Sequence, residues 1–253
     1  MNAMIFAAGL GSRLRPLTND KPKALVEIEG TTMLEIALKK IENAGITKTV
    51  VNVHHHHRQI VNFLSNYKTS GMEILISDEK DRLLDTGGGL LKARSLFDAD
   101  TPVLLYNVDI ITSADLNSFI LFHEKEKPLV SLMVKDRPTS RYLLFNKNMI
   151  LCGRENTKTG EKTMIRSASP TQSFGFQGVH IVNPEIFSLI RERGVFPIMQ
   201  LYLRLGSEHI IKGYETKSDI WFDIGTPEKL KNTKKKVMEL SEEERNKLIN
   251  TSV

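Results

Sequence analysis

Through the first half of the chain, short apolar runs alternate with stretches that read as helices, and this alternation restricts the fold more than any other feature. Residues 4–8 form an apolar run ending at Gly9, the pattern of a buried strand feeding a loop. Thr32-Met33-Leu34-Glu35 has the form of a capping box. Its hydroxyl and carboxylate can satisfy the orphan amides of a helix that runs to about Ala44, where Gly45 stops it. Strand-like segments at 49–53, 72–77 and 103–106 then alternate with helix-like ones at 58–67, 89–97 and 114–125. That order implies right-handed βαβ units, and so an α/β fold with a mixed, mostly parallel sheet and helices on both faces.

The later half reads differently. Strand candidates at 129–134, 142–145, 149–151 and 174–182 are separated by polar, glycine-bearing loops, and helices are expected near Pro184 and Pro197. The stretch 199–204 is apolar on one helical face and reads as core. Strands at 210–215 and 220–223 precede a last helix that begins at Pro227, a favoured first-turn residue. With no internal repeat and no long linker, residues 1–253 are expected to form one domain. The expected division is a first half 1–128, a small β lobe within 129–226 and C-terminal helices in 227–253.

Composition excludes several classes. A chain of 253 residues with 40% hydrophobic and 26% charged residues is neither disordered nor dependent on staples. No window approaches the ~20 apolar residues of a membrane span. The opening MNAMIFAAGLGSRLRP lacks the basic start and the length of a secretion signal. A lone cysteine, Cys152, forms no internal disulfide and suits a reducing cytoplasm. The net charge of +5 arises from 35 basic and 30 acidic residues interspersed, so nucleic acid is not an expected partner. The dense cluster at 229–236 (KLKNTKKK) reads as a solvated helix face, a polyanion site being the alternative. No aromatic residues interleave with it as a base-stacking platform would require. The basic excess does favour small anionic, phosphorylated ligands.

Gly9-Leu10-Gly11-Ser12-Arg13-Leu14-Arg15-Pro16-Leu17-Thr18, followed by Lys21-Pro22-Lys23, comes directly after the first strand. Its glycines let backbone amides approach an anion, and Arg13, Arg15, Lys21 and Lys23 add charge that can neutralise a polyphosphate. It is not a dinucleotide fingerprint, because Leu14 stands where the third glycine belongs and Pro16 interrupts the helix. A Walker-type loop is absent too. Asp109 follows the apolar 103–106 at the carboxyl end of a strand, where ligands collect in open α/β sheets; a turn or helix-cap role is the plain alternative. Asp223 sits within Trp221-Phe222-Asp223-Ile224-Gly225, where an unpaired carboxylate is costly, and it too can be read as a turn residue before Pro227. Two such carboxylates with an Arg/Lys phosphate loop suit Mg²⁺.

At these positions the chain resembles the nucleotidyltransferases that act on sugar 1-phosphates. The signature G-x-G-[ST]-R-[LM]-x-P-L-T-x-x-x-P-K is matched from Gly9 to Lys23. Three further landmarks extend the resemblance: Asp85-Thr86-Gly87-Gly88-Gly89, Asn107-Val108-Asp109 (the family commonly has N-G-D) and Trp221–Pro227 as W-x-D-x-G-T-P. The resemblance implies a three-layer Rossmann-like, glycosyltransferase-A-like fold, with nucleotide binding in 1–128 and sugar and metal binding in 129–226. It also implies Mg²⁺ on Asp109 and Asp223, leaving phosphates on Arg13 and the loop amides, and Lys23 on the attacking and α-phosphates. Ala7, Ala8, Gly9, Gly11, Ser12 and Arg13 would line the nucleotide, with the backbone of Gly87 and Gly88 along the base. Asn107, Gly153 and Glu155 (in a loop region) and Gly178 would approach the sugar, the last within Phe174–His180, which resembles the family's F-x-G strand. A plain strand and turn remain alternatives there.

The implied reaction joins an NTP and a sugar 1-phosphate to give an NDP-sugar and pyrophosphate. Ala7-Ala8-Gly9 resembles the form common in uridylyl- and cytidylyltransferases, and the short lobe most resembles N-acetylmuramate 1-phosphate uridylyltransferases. Mannose 1-phosphate guanylyltransferase-like proteins share most of these residues. Other hexose or heptose 1-phosphate guanylyltransferases, cytidylyltransferases of phosphorylated alcohols and a non-catalytic sugar-nucleotide sensor are the alternatives. Relatives are often oligomeric. His54-His55-His56-His57 reads as a polar strand-to-helix loop, because adjacent residues do not share a helix face. A transition-metal site, or one His touching the base, is the alternative.

Overall fold

The computed structural model describes residues 1–217 and 219–250. In chain order the strands are β1 (Asn2–Phe6), β2 (Glu27–Ile28), β3 (Thr31–Thr32), β4 (Lys48–Val53), β5 (Glu73–Asp78), β6 (Val103–Asn107), β7 (Ile110–Thr112), β8 (Val130–Lys135), β9 (Arg141–Phe145), β10 (Leu151–Asn156), β11 (Glu161–Met164), β12 (Gln172–Val182), β13 (Ile211–Glu215) and β14 (Trp221–Asp223). The helices are α1 (Met33–Asn43), α2 (His57–Asn66), α3 (Asp85–Ala93), α4 (Leu116–Glu126), α5 (Ile186–Leu189), α6 (Ile198–Leu205), α7 (Pro227–Glu239) and α8 (Glu242–Arg245). One mixed sheet runs β11-β10-β9-β12-β6-β1-β4-β5, with β8 beside β12 and β13 beside β8. Its first-half strands β5, β4, β1 and β6 are parallel, while β12 lies antiparallel to β6, β8 and β9.

The period-two pattern of β1 explains the layering. Ala3 and Ile5 face one core with Leu34, Ile60, Phe119 and Leu230 from α1, α2, α4 and α7. Met4 and Phe6 face the other, with Leu90 of α3, Ile186 of α5 and Leu201 of α6. Helices therefore cover both faces, as the alternation implied. Thr32 caps α1 by accepting from the Glu35 amide at 3.1 Å, and Gly45 takes the left-handed turn (φ +73°) beyond its end.

Three expectations change. The Gly-rich segment 85–89 is the first half of α3, not a loop ahead of a helix starting at Gly89. Glycine is a poor helix former, but here it is a packing requirement. A Cβ on Gly87 would lie 2.3 Å from the Phe196 ring, and one on Gly88 would lie 2.3 Å from the Gly194 carbonyl oxygen. The strand expected at 149–151 lies further along as β10, which pairs with the edge strand β11 that the sequence reading lacked. Glu161–Met164 alternates weakly and is largely exposed, so no apolar run marked it. Gly153 and Glu155 consequently stand on β10, not in a loop. A Cβ on Gly153 would sit 2.3 Å from the Thr163 carbonyl oxygen, so this glycine permits the close approach of β11.

Candidate active site

Beyond β1 the chain must turn without losing its amide partners. Asn52, at the carboxyl end of neighbouring β4, supplies them: its Oδ1 accepts from the Ala7 amide at 2.7 Å and the Ala8 amide at 3.3 Å. Its Nδ2 donates to Glu79 Oε1 at 2.7 Å, and Glu79 Oε2 accepts from the Leu84 amide at 2.9 Å. Glu79 is fully buried, so this carboxylate is held by neutral hydrogen bonds alone among the described contacts. Neither Asn52 nor Glu79 was anticipated. The available signal was an Asn inside the apolar TVVNV run, since a buried amide must find partners.

The loop then folds on itself. Gly11 adopts φ +63°, and its carbonyl accepts from the Leu14 amide and the Thr18 hydroxyl, both at 2.8 Å. A Cβ here would press within 3.1 Å of Thr18 Cγ2 and 3.2 Å of Lys23 Cβ, so the glycine is required on both counts. Leu14, fully buried, anchors a short 3₁₀ turn (Ser12–Leu14). A second such turn (Lys23–Leu25) presents the Lys23 ammonium, which forms an ion pair with Asp109.

Asp109 lies between β6 and β7, and β14 pairs antiparallel with β7 so that Asp223 opposes Ile110. The Ile224 amide donates to the Asp109 carbonyl at 2.9 Å. Acids distant in sequence are thus splinted together by main chain. Asp223 pairs with Lys229 at 2.5 Å, from the first turn of α7, which Thr226 caps through the Lys229 amide.

A cleft of about 510 Å³ opens at this end of the sheet. Ala7, Ala8, Gly9, Gly11, Ser12, Arg13, Lys23, Asn107 and Asp109 all line it, together with Asn52, Asp85, Thr86, Val195 and Gly225. Six anticipated residues do not. Asp223 stands just behind Gly225, where a Cβ would be 2.9 Å from Asp223 Oδ1 and 3.4 Å from Arg13 Nη2. Gly178 (φ +81°) lies behind the lining, tight against Ile110 and Asn107. Gly87 and Gly88 turn their amides to the Phe196 carbonyl, leaving Asp85 and Thr86 as the wall at that point. Gly153 and Glu155 are on β10.

Two of the four loop cations also face elsewhere. Lys21 pairs with Glu27 at 3.3 Å, and exposed Arg15 instead lies near His55, whose basicity is lowered chiefly by desolvation and further by His56, His54 and Arg15. The histidine run forms the strand-to-helix turn between β4 and α2. His54 Nδ1 hydrogen-bonds the Glu79 carbonyl at 2.8 Å, and His56 Nε2 the Asn19 carbonyl at 3.0 Å. None of the four lines the cleft.

The family described as nucleotidyl transferase matches residues 2–239. N-acetylmuramate alpha-1-phosphate uridylyltransferase of Caulobacter vibrioides is 32% identical, over 89% of this chain and 92% of that protein. Mannose-1-phosphate guanyltransferase of Pichia angusta is 30% identical, over 90% of this chain and 61% of that one. UDP-glucose pyrophosphorylase from Acinetobacter baumanii superposes with a TM-score of 0.79 over 96% of this chain and 95% of that one, at 14% identity. No described helix is long and apolar enough to cross a membrane. From the loop after β1 to the strand that brings Asp223 to Asp109, this chain belongs to the nucleotidyl transferase family.

Proposed function

We propose that the chain is a Mg²⁺-dependent sugar 1-phosphate nucleotidyltransferase of the cytoplasm, with UTP and N-acetylmuramate 1-phosphate as substrates. The observation that carries this reading is one cleft lined by loop amides, Arg13, Lys23 and Asp109, with Asp223 splinted behind it. Residues 1–128 serve the nucleotide, and 129–226 serve the sugar and contribute Asp223. An oxygen of the sugar phosphate attacks the α-phosphorus in line, the bond to the bridging β-oxygen breaks, and pyrophosphate leaves. A phosphate oxygen is already an anionic nucleophile, so positioning and charge neutralisation suffice.

The loop amides and Arg13 receive the β- and γ-phosphates. Lys23 leaves Asp109 for the attacking and α-phosphates. Asp85 and Thr86, with the α3 backbone behind them, border the base, and Asn107, with Gly178 behind it, borders the sugar. The acids fit Mg²⁺: each is answered by a lysine ammonium on a flexible stem, and that ion binds through one or two carboxylates plus substrate phosphates. When bound, Mg²⁺ supplies charge neutralisation and alignment of phosphate oxygens.

The muramate and uridylyl choice follows the similarity to the Caulobacter protein. Similarity to the Pichia protein favours a second reading, GTP with mannose 1-phosphate. A pyrophosphate-release screen of four NTPs against a panel of sugar 1-phosphates tests both. UTP with N-acetylmuramate 1-phosphate should give the highest kcat/KM, GTP with mannose 1-phosphate would install the second reading, and silence across the panel would refute both.

A further inference from the structure

Arg137 follows β8 and is half-buried, yet its charge is poorly answered. Its guanidinium carbon lies 4.1 Å from the centre of the Trp221 ring, and Nη2 donates to the Phe176 carbonyl at 2.8 Å. Nη1 reaches the Pro138 carbonyl only at 3.4 Å, and Nε is buried without a partner among the described residues. A Cβ on Gly175 would fall 2.9 Å from the guanidinium carbon, so that glycine makes room for the arginine to lie across β12. The acid whose field it feels, Asp223, is already paired with Lys229. A partly desolvated cation without a counter-ion is an expensive arrangement unless a ligand supplies the anion. Burial lowers the basicity of this guanidinium, in keeping with that missing partner.

Position narrows the ligand. Trp221 and Asp223 are two residues apart on β14, so their side chains share a face about 6.6 Å apart along the strand. The guanidinium on the Trp221 ring therefore stands roughly one sugar ring from the acid assigned to the reacting phosphates. We propose that Arg137 is a specificity-determining residue that pairs with a carboxylate on the sugar, so that the acceptor is an acidic sugar 1-phosphate. This rests on the sugar 1-phosphate reading of the cleft. N-acetylmuramate satisfies it, since it is N-acetylglucosamine bearing a lactyl ether whose carboxylate projects from the ring. Arginine suits the task, because its planar fork meets a carboxylate with paired hydrogen bonds while the Trp face fixes its plane.

The test measures kcat/KM for N-acetylmuramate 1-phosphate and N-acetylglucosamine 1-phosphate with the nucleotide the screen selects, in the unmodified protein, Arg137→Met and Arg137→Lys. The unmodified protein should prefer the acidic sugar. Arg137→Met should collapse the acidic-to-neutral ratio about 10–100-fold, the worth of one charged hydrogen bond. Arg137→Lys should restore part of that ratio. Equal losses on both sugars, or an unmodified protein that does not distinguish them, would overturn the inference while leaving nucleotidyl transfer intact. If the unmodified protein releases no pyrophosphate with these or with glucose, mannose and glucuronate 1-phosphates, the sugar 1-phosphate reading fails and takes the inference with it.

Discussion

Main chain shapes the phosphate-loop side of the cleft, whereas charged and aromatic side chains order the neighbouring region around Asp219 and Trp221, neither of which lines it. Ala7 and Ala8 turn amides toward Asn52, Gly11 folds its loop through a carbonyl, Gly87 and Gly88 of α3 let the segment 194–196 close against the helix, and Gly89 leaves room for Glu79 and Asn52. Across the sheet, Lys135 pairs with Asp219 at 2.7 Å, and Thr112 Oγ1 donates to the same carboxylate at 3.2 Å. Trp221 Nε1 donates to the Gln177 carbonyl at 3.0 Å beneath the Arg137 guanidinium. The difference matches the proposed ligands. Triphosphates are alike in every NTP and can be met by invariant backbone geometry, whereas sugars differ and call for substitutable side chains.

The strongest break targets the seam where the two sides meet. Asp109→Asn and Asp223→Asn should each cut pyrophosphate release by at least about 10²–10³-fold, with an unchanged circular dichroism spectrum. Full activity in either variant would remove that acid from the site. Next, each region can be disturbed separately. Asn52→Leu strands the Ala7 and Ala8 amides and the Glu79 carboxylate, so it should cost about 3 kcal/mol in urea unfolding and raise KM for the NTP. Asp219→Asn weakens the Lys135 pair, so its kinetic effect should fall on KM for the sugar phosphate. If both variants shift the same KM, the division of labour is wrong.

Asn52 and Glu79 also mark where the sequence was hard to read. Strand–helix alternation, the Gly9–Lys23 loop and the pair Asp109 and Asp223 were legible, because periodicity and long spaced motifs leave traces in the chain itself. A buried Asn–Glu pair leaves none beyond two polar residues in odd places. The α3 glycines misled for a related reason. Glycine signals a loop by propensity, but the Phe196 ring and the Gly194 carbonyl decide its role here. Arg15 and Lys21 showed charge without direction; only the fold turned Arg13 and Lys23 inward.

Smaller effects sharpen the contrast. Gly88→Ala and Gly153→Ala each drive a Cβ against a carbonyl oxygen 2.3 Å away and should each lose about 2 kcal/mol. Only the former should also weaken NTP binding measured by calorimetry. The gentlest probe is pH. Burial pushes His180 down to about 3 and His123 down to about 4, whereas an unfolded histidine takes its proton near 6.5. The unfolded chain therefore binds more protons below that point. Stability is fully present above pH ~6.5 and falls as pH drops toward 4, by up to ~1.4 kcal/mol per pH unit for each group. His180→Gln, which keeps a polar partner for the Tyr202 hydroxyl now 2.6 Å from His180 Nδ1, should lower the slope of stability against pH by one group's share. An unchanged slope would refute the assignment.

The main-chain splint between Ile224 and Asp109 bears on how the protein is made. Translation delivers the phosphate loop and Asp109 well before Asp223. On the proposed roles, a chain cut before β14 would carry the first acid without the second. On those roles, turnover would await the docking of β14 on β7, which the main-chain pairing holds in register.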